Sequence, residues 1–196
     1  MSEAKVTIRG LAEFKAQMQG LPDKMQRGAL RSMMRDAMKL VRDDARAAAP
    51  RLDAAVTKNG VPVRLPGTLR NAISVRTSKS EDKAGNVGVF VNVRPLKGNT
   101  YRKAGSFINA KGNKQSRYLL TKKSQRGADN PRDPYFWRWI EFGTKARKTK
   151  SGKALGAVRP YKFLQGAADK LQAAADKFSS NLQAWVNRAN STGRID

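Results

Sequence analysis

Apolar positions along the chain recur with two periods, and each predicts its own element. Lys5-Val6-Thr7-Ile8-Arg9 alternates polar and apolar residues, the mark of a short strand ending at Gly10. Leu11, Phe14 and Met18 then share one face of a short helix over Leu11 to Gln19, stopped by Gly20-Leu21-Pro22. Asp23 is placed to cap the longest helix. Its stripe of Leu30, Met33, Met34, Ala37, Met38, Val41, Ala45 and Ala48 keeps close to a 3.6 period up to Pro50. Methionines can form adaptable binding surfaces, but at this spacing they are read as an ordinary core face.

After Pro50 the pattern changes. Residues 51–67, with Pro62, Pro66, Gly60 and Gly67, read as a loop, and Thr68 to Asn71 as a single helical turn. Ile73 to Thr77 begins a strand. Val87, Val89, Val91 and Val93 alternate with Gly88, Phe90, Asn92 and Arg94, the clearest period of two in the chain. A polar turn over 78–86 makes the two an antiparallel hairpin packed by valines on one face. Tyr135 to Phe142 reads as a further helix. The last runs from about Pro160, at its first position, to Asn190, on a stripe of Leu164, Ala167, Ala168, Leu171, Ala175, Phe178, Leu182, Trp185 and Val186. These elements predict one α+β domain over residues 1–190, a small antiparallel sheet packed by a long N-terminal and a long C-terminal helix. An extended basic loop occupies about 94–133, and 191–196 is a flexible tail.

Charge changes the picture. With 40 Lys and Arg against 15 Asp and Glu the net charge is +25. Such self-repulsion calls for an anionic surrounding: nucleic acid, a membrane surface or an acidic protein. No apolar stretch approaches the length that spans a bilayer, and the N-terminal residues lack the apolar core of a signal peptide, so no membrane partner and a cytosolic origin are expected. The chain has neither Cys nor His. That excludes thiol nucleophiles, disulfides, Cys/His zinc sites and a Ser-His-Asp triad. Most of the few acids sit on helices beside basic residues, as solvated partners. No Asp/Glu pair stands where strand ends would hold Mg2+, so an enzyme such as a nuclease is the least favoured reading, and no cofactor or metal is expected.

Two basic stretches could carry binding. Arg94 to Arg126 holds no acid in 33 positions and includes Arg102, Lys103, Lys111, Lys114, Arg117, Lys122, Lys123 and Arg126. The second follows Thr144, with Lys145, Arg147, Lys148, Lys150 and Lys153. Cations spread among Gly, Ser and Asn suit phosphate contacts, which need charge but little order. Tyr101, Phe107 and Tyr118 could stack on bases, although single-strand binders place such aromatics on a rigid sheet. An acidic protein partner fits the same charges. No helix-turn-helix, zinc finger or RNA-recognition signature is present, and the Gly-Lys pieces lack P-loop spacing. Between the basic stretches lies an aromatic run with Tyr135, Trp137 and Trp139, candidate interface anchors. Glu141 closes it ahead of Gly143, where a left-handed helix cap is expected. As a lone carboxylate it is read as structural, pairing with an Arg or capping backbone amides, before it is read as a catalytic acid.

Several pieces in order resemble one family. They are Gly67-Thr68-Leu69-Arg70-Asn71-Ala72-Ile73, the valine strand, Trp139-Ile140-Glu141-Phe142-Gly143-Thr144, and Arg159-Pro160-Tyr161-Lys162-Phe163-Leu164. In this order they look like the tailed-phage head–tail joining and tail-completion proteins, similar to the lambdoid minor tail protein Z. The resemblance marks Gly67, Leu69, Ile73, Glu141, Phe142, Gly143, Thr144, Arg159, Pro160, Phe163 and Leu164 as motif residues. It implies a non-enzymatic virion protein of the neck, made in the host cytoplasm, forming a ring of copies, six being the expected number, around the DNA channel. Partners would be a head connector or stopper, a tail terminator or tail tube, and DNA in the lumen through phosphate contacts. A tail-terminator ring capping the tube, or a sequence-independent nucleic-acid binder, are the alternatives.

Overall fold

In the computed structural model the described residues are 8–9, 11–18, 23–110, 112–124, 126–127, 130–149 and 151–192. The expected strand at Lys5 to Arg9 falls largely outside them, as do Lys111, Lys150 and the last four residues.

Helix α1 spans Leu11–Met18, α2 Asp23–Ala37 and α3 Lys39–Ala48. The single long helix expected from the stripe is therefore divided at Met38, yet the ladder runs through the break. Met38 N–H donates to Met34 O at 3.0 Å and Arg42 N–H to Met38 O at 3.1 Å. Ala49 turns extended (φ −66°, ψ 128°), as the residue before a proline must.

The stretch 51–67, expected as a loop, forms a small hairpin of β1 (Val56–Lys58) and β2 (Val61–Arg64). Helix α4, Thr68–Ala72, follows a left-handed Gly67 (φ 73°) and delivers the chain into β3, Ile73–Thr77. Within the expected polar turn, Ser78 accepts from Glu81 N–H and starts a short α5, Lys79–Lys83. Strand β4, Val89–Val93, then returns antiparallel with Ile73 opposite Val93 and Val75 opposite Val91. This pair is as the valine alternation predicts.

Both basic stretches expected as loops are β-hairpins. Strands β5 (Thr100–Ile108) and β6 (Lys114–Lys122) form the first. Helix α6, Trp137–Phe142, starts two residues later than expected, and β7 (Thr144–Lys148) and β8 (Ala154–Val158) form the second hairpin. The last helical run begins at α7, Phe163–Gly166, and continues through a 3-10 turn, Ala167–Lys170, into α8, Leu171–Thr192. Pro160 is thus not its first residue. Lys162, in a left-handed conformation (φ 51°), separates the two.

The core has two parts. Val41, Ala45, Leu69, Ile73, Val93, Phe163 and Ala167 form one, between α3, the β3–β4 pair and α7. Phe14, Ala37, Phe178, Leu182 and Val186 form the other, where α1 and α2 lie against α8. Phe14 meets Trp185 edge-on at 5.0 Å. Leu11, expected on the same face, is exposed, because α1 offers a single anchoring ring to α8. The methionines Met33, Met34 and Met38 pack against these clusters, as a core face should. The mixed fold of helices and small antiparallel sheets is α+β.

Asp36 ties α2 to α8. Its carboxylate accepts from Lys39 Nζ at 2.8 Å and Lys177 Nζ at 3.2 Å, and from Asn181 Nδ2 at 3.4 Å. The hydrogen bonds from Lys39 and then Lys177 lower its pKa from 3.8 to about 2. A depressed carboxylate pKa contributes stability that is full above the unfolded value near 4 and is lost as pH falls through the folded one. The cluster is partly solvated, so the contribution is modest. Stability measured by denaturant titration should therefore drop between pH 4 and pH 2, and Asp36→Asn should show a smaller drop over that window. Equal drops would remove Asp36 from the account.

Candidate functional site

The motif residues of the two segments 141–144 and 159–164 meet in one backbone clasp, while Leu69 and Ile73 lie in the core beside Phe163 and Gly67 precedes α4. Phe136 begins α6 with no side-chain cap, and the helix ends at Gly143 (φ 72°, ψ −178°). This is positive φ with an extended ψ, not the left-handed helix cap expected from sequence. The reason is the close approach of the returning chain: an added Cβ would stand 2.7 Å from Val158 O and 3.0 Å from Pro160 Cδ and N. On either side of Gly143 the two segments bond to each other. Tyr161 N–H donates to Ile140 O at 2.8 Å, Lys162 N–H to Glu141 O at 3.2 Å, and Val158 N–H to Thr144 Oγ1 at 3.1 Å.

Glu141 completes the clasp. It is 2 % exposed, and its two oxygens accept from Leu164 N–H at 3.0 Å and Gln165 N–H at 2.9 Å. These are first-turn amides of α7, a helix whose own cap residue Lys162 offers no side-chain acceptor. A carboxylate donated from 23 positions upstream thus supplies the cap, where orphan N–H groups and the helix dipole favour negative charge. The structural reading of Glu141, capping backbone amides, is the one the geometry supports. With the carboxylate fixed, Phe163 is driven into the core at 0 % exposure beside Ile73 and Leu69.

A second buried acid was not singled out from the sequence. Asp133, 2 % exposed, accepts from Gly127 N–H at 2.6 Å and Leu96 N–H at 3.4 Å. Leu96 enters the β5–β6 hairpin and Gly127 leaves it, so Asp133 fastens its base. Arg126 reinforces the closure, its Nε donating to Leu96 O at 2.6 Å. The only signal available in sequence was an Asp next to a proline at the end of an acid-poor stretch.

Above those bases each hairpin's strands pair with one another. The cations Lys103, Lys114 and Arg117 on the first, and Lys145, Arg147, Lys148 and Lys153 on the second, are exposed. Lys122 and Lys123 are exposed at the foot of the first. The backbone of Arg102 lies in β5, and its side chain is not among those described. Phe107, Ile108, Tyr118, Leu119 and Leu120 are exposed as well, Ile108 by 73 %. The register puts Tyr118 opposite Lys103 and Ile108 opposite Lys114, so apolar and cationic side chains share a face.

The expected aromatic anchors divide. Trp137 packs against the core beneath Arg138, and Tyr135 meets Phe136 and Trp139 edge-on. Trp139 is 40 % exposed under Arg147, whose guanidinium carbon is 5.2 Å from the ring. Phe142 and Tyr161, on the two segments of the clasp, are more exposed still, at 69 % and 59 %. Among the described residues no group of three His, Cys, Asp or Glu side chains could hold a metal ion, and no helix is long and apolar enough to cross a membrane.

No curated protein and no solved structure matches the chain significantly. A family model described as "Bacteriophage HK97-gp10, putative tail-component" matches residues 12–143, from α1 to the glycine of the clasp. The Arg159 to Leu164 segment lies beyond the matched stretch. With two thirds of its length covered, the chain belongs to this HK97 gp10-like family of bacteriophage tail components, structural proteins of the virion.

Proposed function

We propose that this tail component is a neck subunit, a tail-completion or head–tail joining protein that assembles as a ring of identical copies around the DNA channel. The observation that carries the reading is the β5–β6 arm. It is fastened at its base by Asp133 and bears exposed Phe107, Ile108, Tyr118, Leu119 and Leu120 on strands that pair only with each other. A monomer gains nothing by holding five large apolar side chains in water; a neighbouring subunit or virion protein would cover them. Exposed Trp139, Phe142 and Tyr161 beside the clasp supply a second surface, as a head-to-tail contact between copies requires two different patches.

Charge supports the same reading. Residues 83–168 hold 20 of the 40 basic residues and three of the 15 acids, and two of those three, Asp133 and Glu141, are buried. An excess of exposed cations suits a subunit that sits in a ring around DNA. A role in which the ring caps the tail tube uses the same surfaces and is the second reading.

Electron microscopy of the purified protein and of virions tests this. Rings, and the protein at the head–tail joint, are expected. Folded monomers at all concentrations, together with absence from virions, would sink the proposal. Phe107→Ser with Ile108→Ser should leave a folded chain that no longer assembles.

A further inference from the structure

The basic hairpins are the obvious place for DNA, but the concave surface lies elsewhere. Three clefts adjoin one another around α3, α4 and β3. The first, about 690 Å³, has Arg94, Lys97, Lys122 and Arg132 in its walls. The second, about 470 Å³, has Arg46, Arg51 and Arg70, and shares Pro66 and Asn71 with the first. The third, about 180 Å³, has Arg35, Lys39 and Arg42; it shares Arg46 with the second and Ser74 with the first. The three thus adjoin through shared residues, and their cations together make one basic, grooved surface.

Its chemistry is one-sided. Among the described residues Asp43 is the only acid in the three walls, and Arg42 already grips it at 2.8 and 3.0 Å. Arg35, Arg51, Arg70, Arg94, Lys97, Lys122 and Arg132 are exposed, and none is ion-paired among the described residues. The groove is also built rather than incidental. Arg46 is held in its wall by two hydrogen bonds to Ile73 O, at 3.2 and 2.9 Å, and Gly67 needs its left-handed turn to carry Arg70 to the rim.

We infer that this groove, and not the hairpin arms, is the phosphate-binding track of the protein, and that it takes the backbone of duplex DNA. A line of cations suits the closely spaced charges of a duplex, where neutralisation releases counterions without reading bases. No aromatic side chain lines the groove among the described residues, which separates it from a single-strand site, where bases stack on rings. The inference rests on the reading that the subunit sits around DNA, and it leaves the arms free for protein.

The test uses the full chain, a mixed-sequence duplex and salt titration. The groove variant is Arg51→Gln, Arg70→Gln, Lys97→Gln; the arm variant is Lys103→Gln, Lys114→Gln, Arg117→Gln. All six side chains are exposed, so both should unfold at the temperature of the unaltered chain. Arg94→Gln with Arg132→Gln provides an independent groove variant. The groove triple should reduce the slope of log K against log salt by about 3, and so weaken binding on the order of a thousandfold near 0.1 M salt, with the two curves converging toward 1 M. The arm triple should leave the slope unchanged, and Arg51→Lys with Arg70→Lys should restore it. Any outcome in which the groove triple loses no more than the arm triple overturns the inference. So does a groove variant that loses binding to polyglutamate but not to DNA, which would make the groove a protein site. If the unaltered chain fails to bind duplex the inference falls, while rings seen by microscopy would leave the neck reading standing.

Discussion

Gly143→Ala is expected to lower the thermal midpoint by about 10 °C and to leave a poorly folded fraction at physiological temperature. Two costs add. The backbone at φ 72°, ψ −178° is a conformation that side chains with a Cβ scarcely adopt, worth about 1–3 kcal/mol of strain. The new methyl would also meet Val158 O at 2.7 Å, a backbone atom that cannot swing aside without opening the β7–β8 hairpin. A total near 4 kcal/mol is a large share of the about 5–15 kcal/mol that holds a domain together. Gly60→Ala separates the two costs. Gly60 also has positive φ (77°), but a Cβ there would meet nothing, so its loss should be about 1 kcal/mol. Equal losses at both positions, measured by denaturant unfolding, would show that the close approach contributes nothing.

Glu141→Ala should cost about 3 kcal/mol. It strips two amides, Leu164 and Gln165, of a charged acceptor inside the protein, where water reaches poorly. An ordinary exposed cap is worth about 1 kcal/mol, so the size of the loss distinguishes a buried clasp from a cap. Glu141→Gln keeps one acceptor oxygen and should recover roughly half. The change should also be visible locally, as faster proteolysis between Thr144 and Leu164. If Glu141→Ala unfolds like the unaltered protein, the carboxylate is a bystander. If Glu141→Gln is as damaging as Ala, its charge rather than its oxygens matters most.

The helices and the central β3–β4 pair were legible because each buries one face. The stripe from Leu30 to Ala45, the valines opposite Ile73 and Val75, and the Phe178 to Val186 face of α8 all repeat with the period of the element they build; at the end of α3 Ala49 is buried and Ala48, expected on the stripe, is exposed. The hairpins were not legible for the converse reason. β5–β6 is exposed on both faces, so nothing in the sequence selects alternate positions, and its Lys, Gly and Ser content reads as loop. The start of the last helical run was misplaced because its cap comes from Glu141, far away in sequence, while Pro160 imitates a first-turn residue. A structural role for Glu141, pairing with an Arg or capping amides, was legible from its isolation between aromatic and basic segments; its burial was not. Asp133 was not, since its partners, Leu96 and Gly127, are backbone amides that leave no trace in residue type. The cationic groove was hidden for a related reason: its arginines come from α2, α3, α4 and the loops after α3, β4 and β6, and only folding assembles them.

Each basic hairpin leaves the protein through a base closed by one buried carboxylate, Asp133 for β5–β6 and Glu141 for β7–β8. What lies beyond those closures makes no demand on the core. The entropy of a longer excursion grows only with the logarithm of its length, about 0.6 kcal/mol per doubling. The two appendages therefore behave as interchangeable parts: they can be lengthened, shortened or rewritten to suit a different neighbour while the frame that presents them stays as it is.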